Sequence, residues 1–226
     1  MANSINSIMI KLNYTYNWQT NNYSWFNKYP GWAQCFSTSS CMFLSSLIPN
    51  FLLDDEFIKK YVDNVEVHVG EKGLGEKLIL KYDWIAQAAK KGLMTSQWWY
   101  IQRDAIQIYL QQNGINFYDI IFKENDGTWE EVSAALRNGS PVILGTVLPP
   151  TQGHIILIVG ETDSHWICAD PYGSAMNLYK VNPEIAGKDV LYDKQWLKLH
   201  TEEKVTKIKN RIRIMYAKDK NQTIFN

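Results

Sequence analysis

The side chains best suited to covalent chemistry in this sequence are three cysteines, Cys35, Cys41 and Cys168, and four histidines, His68, His154, His165 and His200. A thiol becomes an effective nucleophile once ionised, which a helix N-terminus and a neighbouring imidazole both favour. Cys35 has the first by position. The run that begins there holds neither Gly nor Pro until Pro49 and reads as a helix starting close to Cys35, entered through the turn-like Pro30-Gly31-Trp32-Ala33-Gln34. His154 is the best-placed base, because it follows Gly153 at the start of a strongly apolar run, where a strand end can present a side chain to a cleft. A base also needs its second ring nitrogen held. Asp170, at the end of the next apolar run and inside Ala169-Asp170-Pro171-Tyr172-Gly173, suits that role if a hairpin through residues 161–164 lays the two runs side by side.

Each feature has an ordinary reading as well. A cysteine near a helix start is commonly a small buried hydrophobe, and Asp-Pro-Tyr-Gly is a good turn by itself. The catalytic reading rests on all three occurring in order, with the carboxylate one hairpin from the histidine. Cys41, beside Met42-Phe43-Leu44, and Cys168, within Trp166-Ile167-Cys168-Ala169, read as core; His68, His165 and His200 read as solvated surface.

The elements that would position these groups form one continuous α+β domain over residues 1–226. Residues 8–18 have strand-like spacing, and an Asn/Tyr/Trp-rich loop spans 19–32. Amphipathic helices are predicted over 78–91 and 96–112, the second stopped by Asn113-Gly114, with a strand over 115–122. Thr128-Trp129-Glu130-Glu131 is a capping-box pattern opening a helix that Asn138-Gly139 ends. Three β-rich runs follow, 141–148, 154–159 and 166–169, so the predicted order is helices first, then an antiparallel sheet. In residues 207–216, Ile208, Ile212, Ile214 and Tyr216 share one parity and Lys207, Lys209, Arg211 and Arg213 the other. That alternation predicts a half-buried strand with a basic outer face, protecting a sheet edge.

Composition narrows the partners. Lys+Arg and Asp+Glu each total 23, so no global field draws the chain to nucleic acid or an anionic membrane. Three cysteines without Cys-x-x-Cys spacing fit neither a disulfide scaffold nor a zinc site, and no metal or cofactor is expected. The Gly-rich residues 70–75 lack the Lys-Ser/Thr ending of a phosphate loop. Lys11 and several Asn residues break the first sixteen residues, so no signal peptide or membrane span is expected. The product should be cytoplasmic or released without a signal peptide.

Four segments, residues 12–19, 34–42, 153–160 and 169–174, resemble the signature blocks of the cysteine peptidases of family thirty-nine, which include peptidases that trim leader peptides from bacteriocins. The resemblance runs in order over about residues 12–217. It implies a papain-like fold, with an N-terminal helical part that carries the nucleophile at a helix N-terminus and packs on a C-terminal antiparallel sheet. It also implies hydrolysis of peptide or amide bonds through a thioester, with Cys35 as nucleophile, His154 as base and Asp170 as orienting carboxylate. The oxyanion-hole glutamine of the family is most similar to Gln19; the gap to Cys35 is longer than usual, implying an insertion, and Gln34 is the rival. A free-standing relative is implied, without the membrane and nucleotide-binding domains of transporter-fused members. The substrate would be a peptide, a protein or the peptide part of peptidoglycan, the last in a phage-type lysin or amidase. The non-enzymatic alternative is an idle binding or structural module of the same fold.

Overall fold

The structure is a computed structural model and describes residues 8–22, 34–65, 97–151 and 153–221. The helix expected over 78–91, the loop over 70–75 and His68 lie outside the described residues.

The helices and strands of the described residues follow in chain order as β1 (Ile8–Lys11), α1 (Cys35–Leu47), α2 (Asp55–Val65), α3 (Gln97–Gln112), β2 (Tyr118–Gly127), α4 (Trp129–Arg137), β3 (Val142–Thr146), β4 (His154–Thr162), β5 (His165–Ala169), α5 (Pro183–Ala186), β6 (Val190–Asp193), α6 (Lys194–Leu199) and β7 (Ile212–Asp219). All strand pairs are antiparallel, in the order β2-β7-β3-β4-β5-β6, with β1 pairing with β4. This is the expected α+β architecture.

Both faces of the sheet are covered, which explains why its central strands read as continuous apolar runs. On one face Ile143, Leu157 and Met215 pack with Met42 and Phe43 of α1 and Ile106 and Leu110 of α3. On the other, Leu144, Ile156, Ile158 and Ile214 pack with Val132 and Leu136 of α4 and Leu197 of α6. β1, within the strand-like residues 8–18, opens the chain on β4, and α4 and α6 back the sheet from the far side. Gly160 is needed where β1 crosses β4, since a Cβ there would collide with the Ile10 carbonyl.

One expectation is corrected: the basic C-terminal strand is not an edge. β7 lies between β2 and β3, with Ile212 and Ile214 buried against one layer and Met215 and Ala217 against the other. Its ladder begins at Ile212, so Lys207, Ile208 and Lys209 stand in an exposed turn before it. Arg213 is half-buried, its Nε donating to the Glu124 carbonyl (3.2 Å).

Local signals place several boundaries. Thr128 Oγ1 accepts from the Glu131 N–H and Glu131 returns the bond to the Thr128 N–H, a complete capping box. α3 stops at Asn113-Gly114, where Gly114 has φ +76°. β2 starts at Tyr118 rather than at Ile115, whose side chain turns into the core instead. The ladder of β1 ends at Lys11, short of the eleven-residue run expected from residue 8. β4 continues through Glu161 and Thr162, both buried, leaving only Asp163 and Ser164 as the hairpin turn.

Candidate active site

α1 begins at Cys35, with Gln34 as its N-cap residue. The first turn is unusual in being polar and buried: Ser37, Thr38, Ser39 and Ser40 are fully enclosed. Small hydroxylated residues let a helix end approach other backbone closely and can hydrogen-bond to it. Ser39 Oγ donates to the carbonyl of Ile155 (3.2 Å), the residue after His154, and Asn22 Nδ2 donates to Thr38 Oγ1 (2.9 Å). The first bond pins the start of α1 to the start of β4, and the second ties it to residue 22. Cys35 is the only cysteine with partial exposure; Cys41 and Cys168 are core, and burial pushes the Cys168 thiol well above its ordinary range.

His154 opens β4, opposite Thr146 of β3, whose hydroxyl donates to the His154 carbonyl (2.9 Å). Asp170 directly follows β5, and the pairing of Leu157 with Ala169 brings the two side chains together. His154 Nε2 lies 2.7 Å from Asp170 Oδ1, with His154 5 % exposed and Asp170 at 0 %. Nε2 is thus occupied by Asp170, which leaves Nδ1 as the ring nitrogen for a second partner. Burial by itself would strip the proton from the ring. The Asp170 charge and hydrogen bond outweigh it, helped by Cys35, and raise His154 from 6.5 to about 10.

Asp170 accepts three further hydrogen bonds. The Tyr172 N–H donates to Oδ1 (3.0 Å), while the Tyr192 hydroxyl (2.7 Å) and the Tyr179 hydroxyl (3.3 Å) donate to Oδ2. A fully buried charge persists only when its lone pairs are satisfied in this way. The rings of Tyr172 and Tyr179 meet that of His154 edge-on, at centroid distances of 6.2 and 5.8 Å. Leu178 and Tyr179 are consecutive non-glycine residues in the left-handed region, φ 56° and 57°. That conformation costs about 1–2 kcal/mol per residue, and it turns the Tyr179 side chain onto the His154–Asp170 pair.

The Asp170 backbone is held as firmly. Its N–H donates to the Gly187 carbonyl (2.9 Å), and the Tyr16 hydroxyl shares its proton between the carbonyls of Asp170 (2.9 Å) and Pro183 (2.8 Å). A Cβ at Gly187 would overlap the Tyr16 hydroxyl and the Asp170 carbonyl, so only glycine allows this approach.

The two glutamines stand differently. Gln19, 1 % exposed in a single 3-10 turn (Gln19–Asn21), donates its N–H to the carbonyl of Pro171 (2.8 Å), next to Asp170. Gln34 is fully buried, and its Oε1 accepts from Asn22 Nδ2 (3.1 Å). His165 and His200 are half-buried rather than solvated: His165 Nδ1 lies 2.8 Å from Ser164 Oγ, and the His200 ring packs on Trp196 at 4.2 Å. No group of side chains that could hold a metal ion occurs among the described residues, and no helix among them is long and apolar enough to cross a membrane.

A helix-borne cysteine, a buried imidazole and a carboxylate on an antiparallel sheet define the papain-like class of architecture. The chain belongs to the Peptidase C39 like family, whose model matches residues 11–203. It is similar in fold to a crystal structure of a Bacillus anthracis protein assigned to the C39-like peptidases, with a TM-score of 0.51 and 14 % identity over 92 % of this chain and 97 % of that one. The chain matches none of the curated proteins with which it was compared.

Proposed function

We propose that the protein is an active cysteine peptidase in which Cys35 is the nucleophile, His154 the general base and acid, and Asp170 the group that orients the imidazole. The observation that carries this reading is the 2.7 Å contact between His154 Nε2 and Asp170 Oδ1, which leaves Nδ1 to engage the one partly exposed cysteine at a helix N-terminus. The Cys35 sulfur attacks the carbonyl carbon of the scissile amide. His154 delivers its proton to the departing amine, giving a thioester, and then takes a proton from water as that water releases the acyl group.

Gln19 is the better candidate for the oxyanion donor. The bond from its N–H to Pro171 ties it to the Asp170 loop, whereas the Gln34 amide oxygen is engaged in the buried network beneath α1. The donor would act with the Cys35 N–H on the tetrahedral intermediate. The substrate class is peptide or protein. Incubation with a diverse peptide mixture, followed by mass spectrometry, should show cleavage products with the wild type and none with Cys35→Ala. Equal cleavage by both would remove the proposal.

A further inference from the structure

Tyr192 is fully buried and lies on the far side of Asp170 from His154, so no substrate can reach it. Its hydroxyl meets the Ala175 N–H, Asp170 Oδ2 and the Tyr179 hydroxyl. The Ala175 N–H can only donate, so the Tyr192 oxygen accepts that bond (3.0 Å). Of the acceptors left, the carboxylate oxygen Asp170 Oδ2, at 2.7 Å, is the stronger and takes the single Tyr192 proton. Tyr179 adds a second hydroxyl to the same oxygen from the rim, and the Tyr172 N–H occupies part of Oδ1.

We infer that Tyr192, backed by Tyr179, is a positioning residue: its bond to Oδ2 holds the Asp170 side chain in one orientation, so that Oδ1 faces His154 Nε2 and Nδ1 is kept for the cysteine. The inference rests on the peptidase reading for its kinetic consequence, but not for its spectroscopic one. A buried carboxylate short of one donor is freer to rotate. The strained left-handed pair Leu178-Tyr179 is what brings the second hydroxyl into place.

Two readouts separate this role from simple packing. In Tyr192→Phe, kcat should fall about 10- to 100-fold, the scale of a lost hydrogen bond to a charge. KM should be unchanged. The same substitution in a Cys35→Ala background, which needs no turnover, should displace the low-field proton resonance of His154 Nε2–H. Because Tyr192→Phe also deprives the Ala175 N–H of its acceptor, its folding is checked by thermal melting. Tyr179→Phe, which disturbs no backbone partner shown for that hydroxyl, should give the same changes to a smaller degree. An unmoved resonance together with an unchanged kcat in folded variants would overturn the inference. A moved resonance with no cleavage by the wild type would uphold it while removing the peptidase reading.

Discussion

Asp170→Ala removes the carboxylate that keeps His154 charged, and the burial of the ring sizes the effect. Desolvation is the largest influence on His154 and acts to discharge it; the Asp170 charge and hydrogen bond, with lesser help from Cys35, raise it instead to about 10. Without Asp170, desolvation is opposed by the Cys35 contact alone, and the ring should titrate at or below its ordinary 6.5. The loss of imidazolium stabilisation is on the order of 5 kcal/mol. Protein labelled with 15N-histidine, followed by two-bond proton–nitrogen correlation across the pH range, measures this directly once His154 is assigned by its absence in His154→Gln. The wild-type ring should remain doubly protonated until about pH 10 and the variant ring should be neutral at physiological pH. A wild-type ring that titrates at 6.5, or a variant ring that still titrates near 10, would refute the reasoning.

The same shift couples to stability. The folded-state value of His154 lies above the unfolded one, so its contribution is complete below about pH 6.5 and disappears as pH rises through about 10. Scanning calorimetry should show Tm of the wild type falling across that window more steeply than Tm of Asp170→Ala. Gln19→Ala should lower kcat by about 10²–10³-fold, while Gln34→Ala should act mainly on stability through the lost Asn22 contact; the reverse pattern would exchange their roles. Gly187→Ala should cost about 2–4 kcal/mol in denaturant titrations and depress activity, because the new methyl displaces Tyr16 or Asp170. Thr128→Ala should cost about 1 kcal/mol through the lost cap and leave turnover unchanged.

What could be read from the sequence was what depends on near neighbours. The helix at Cys35, the capping box at Thr128 and the stop at Asn113-Gly114 are each specified within a few residues. The juxtaposition of His154 and Asp170 also follows from a short connection, since one hairpin joins their strands. The basic C-terminal run was misleading because parity reports alternation, not neighbours: Lys207, Lys209 and Arg211 continue the alternation of β7 into a turn that has no ladder.

The support of Asp170 was illegible for a different reason. Tyr16 and Asp170 are brought together across 154 positions, and Tyr179 reaches the site only through a left-handed backbone that its sequence does not signal. Tyr192 did leave a trace. In the short alternating run of residues 190–193 it shares parity with Val190, and a tyrosine on an inward face must find a partner for its hydroxyl.

The most direct trial of the central claim is to trap the covalent intermediate. A peptide with an activated ester at its C-terminus is mixed with the protein, quenched in acid during turnover, and the acyl group is mapped by mass spectrometry. The account predicts a single acyl adduct on Cys35, absent from Cys41 and Cys168 and abolished by Cys35→Ala. Turnover with the acyl group on another residue, or with no adduct and undiminished in Cys35→Ala, would contradict it.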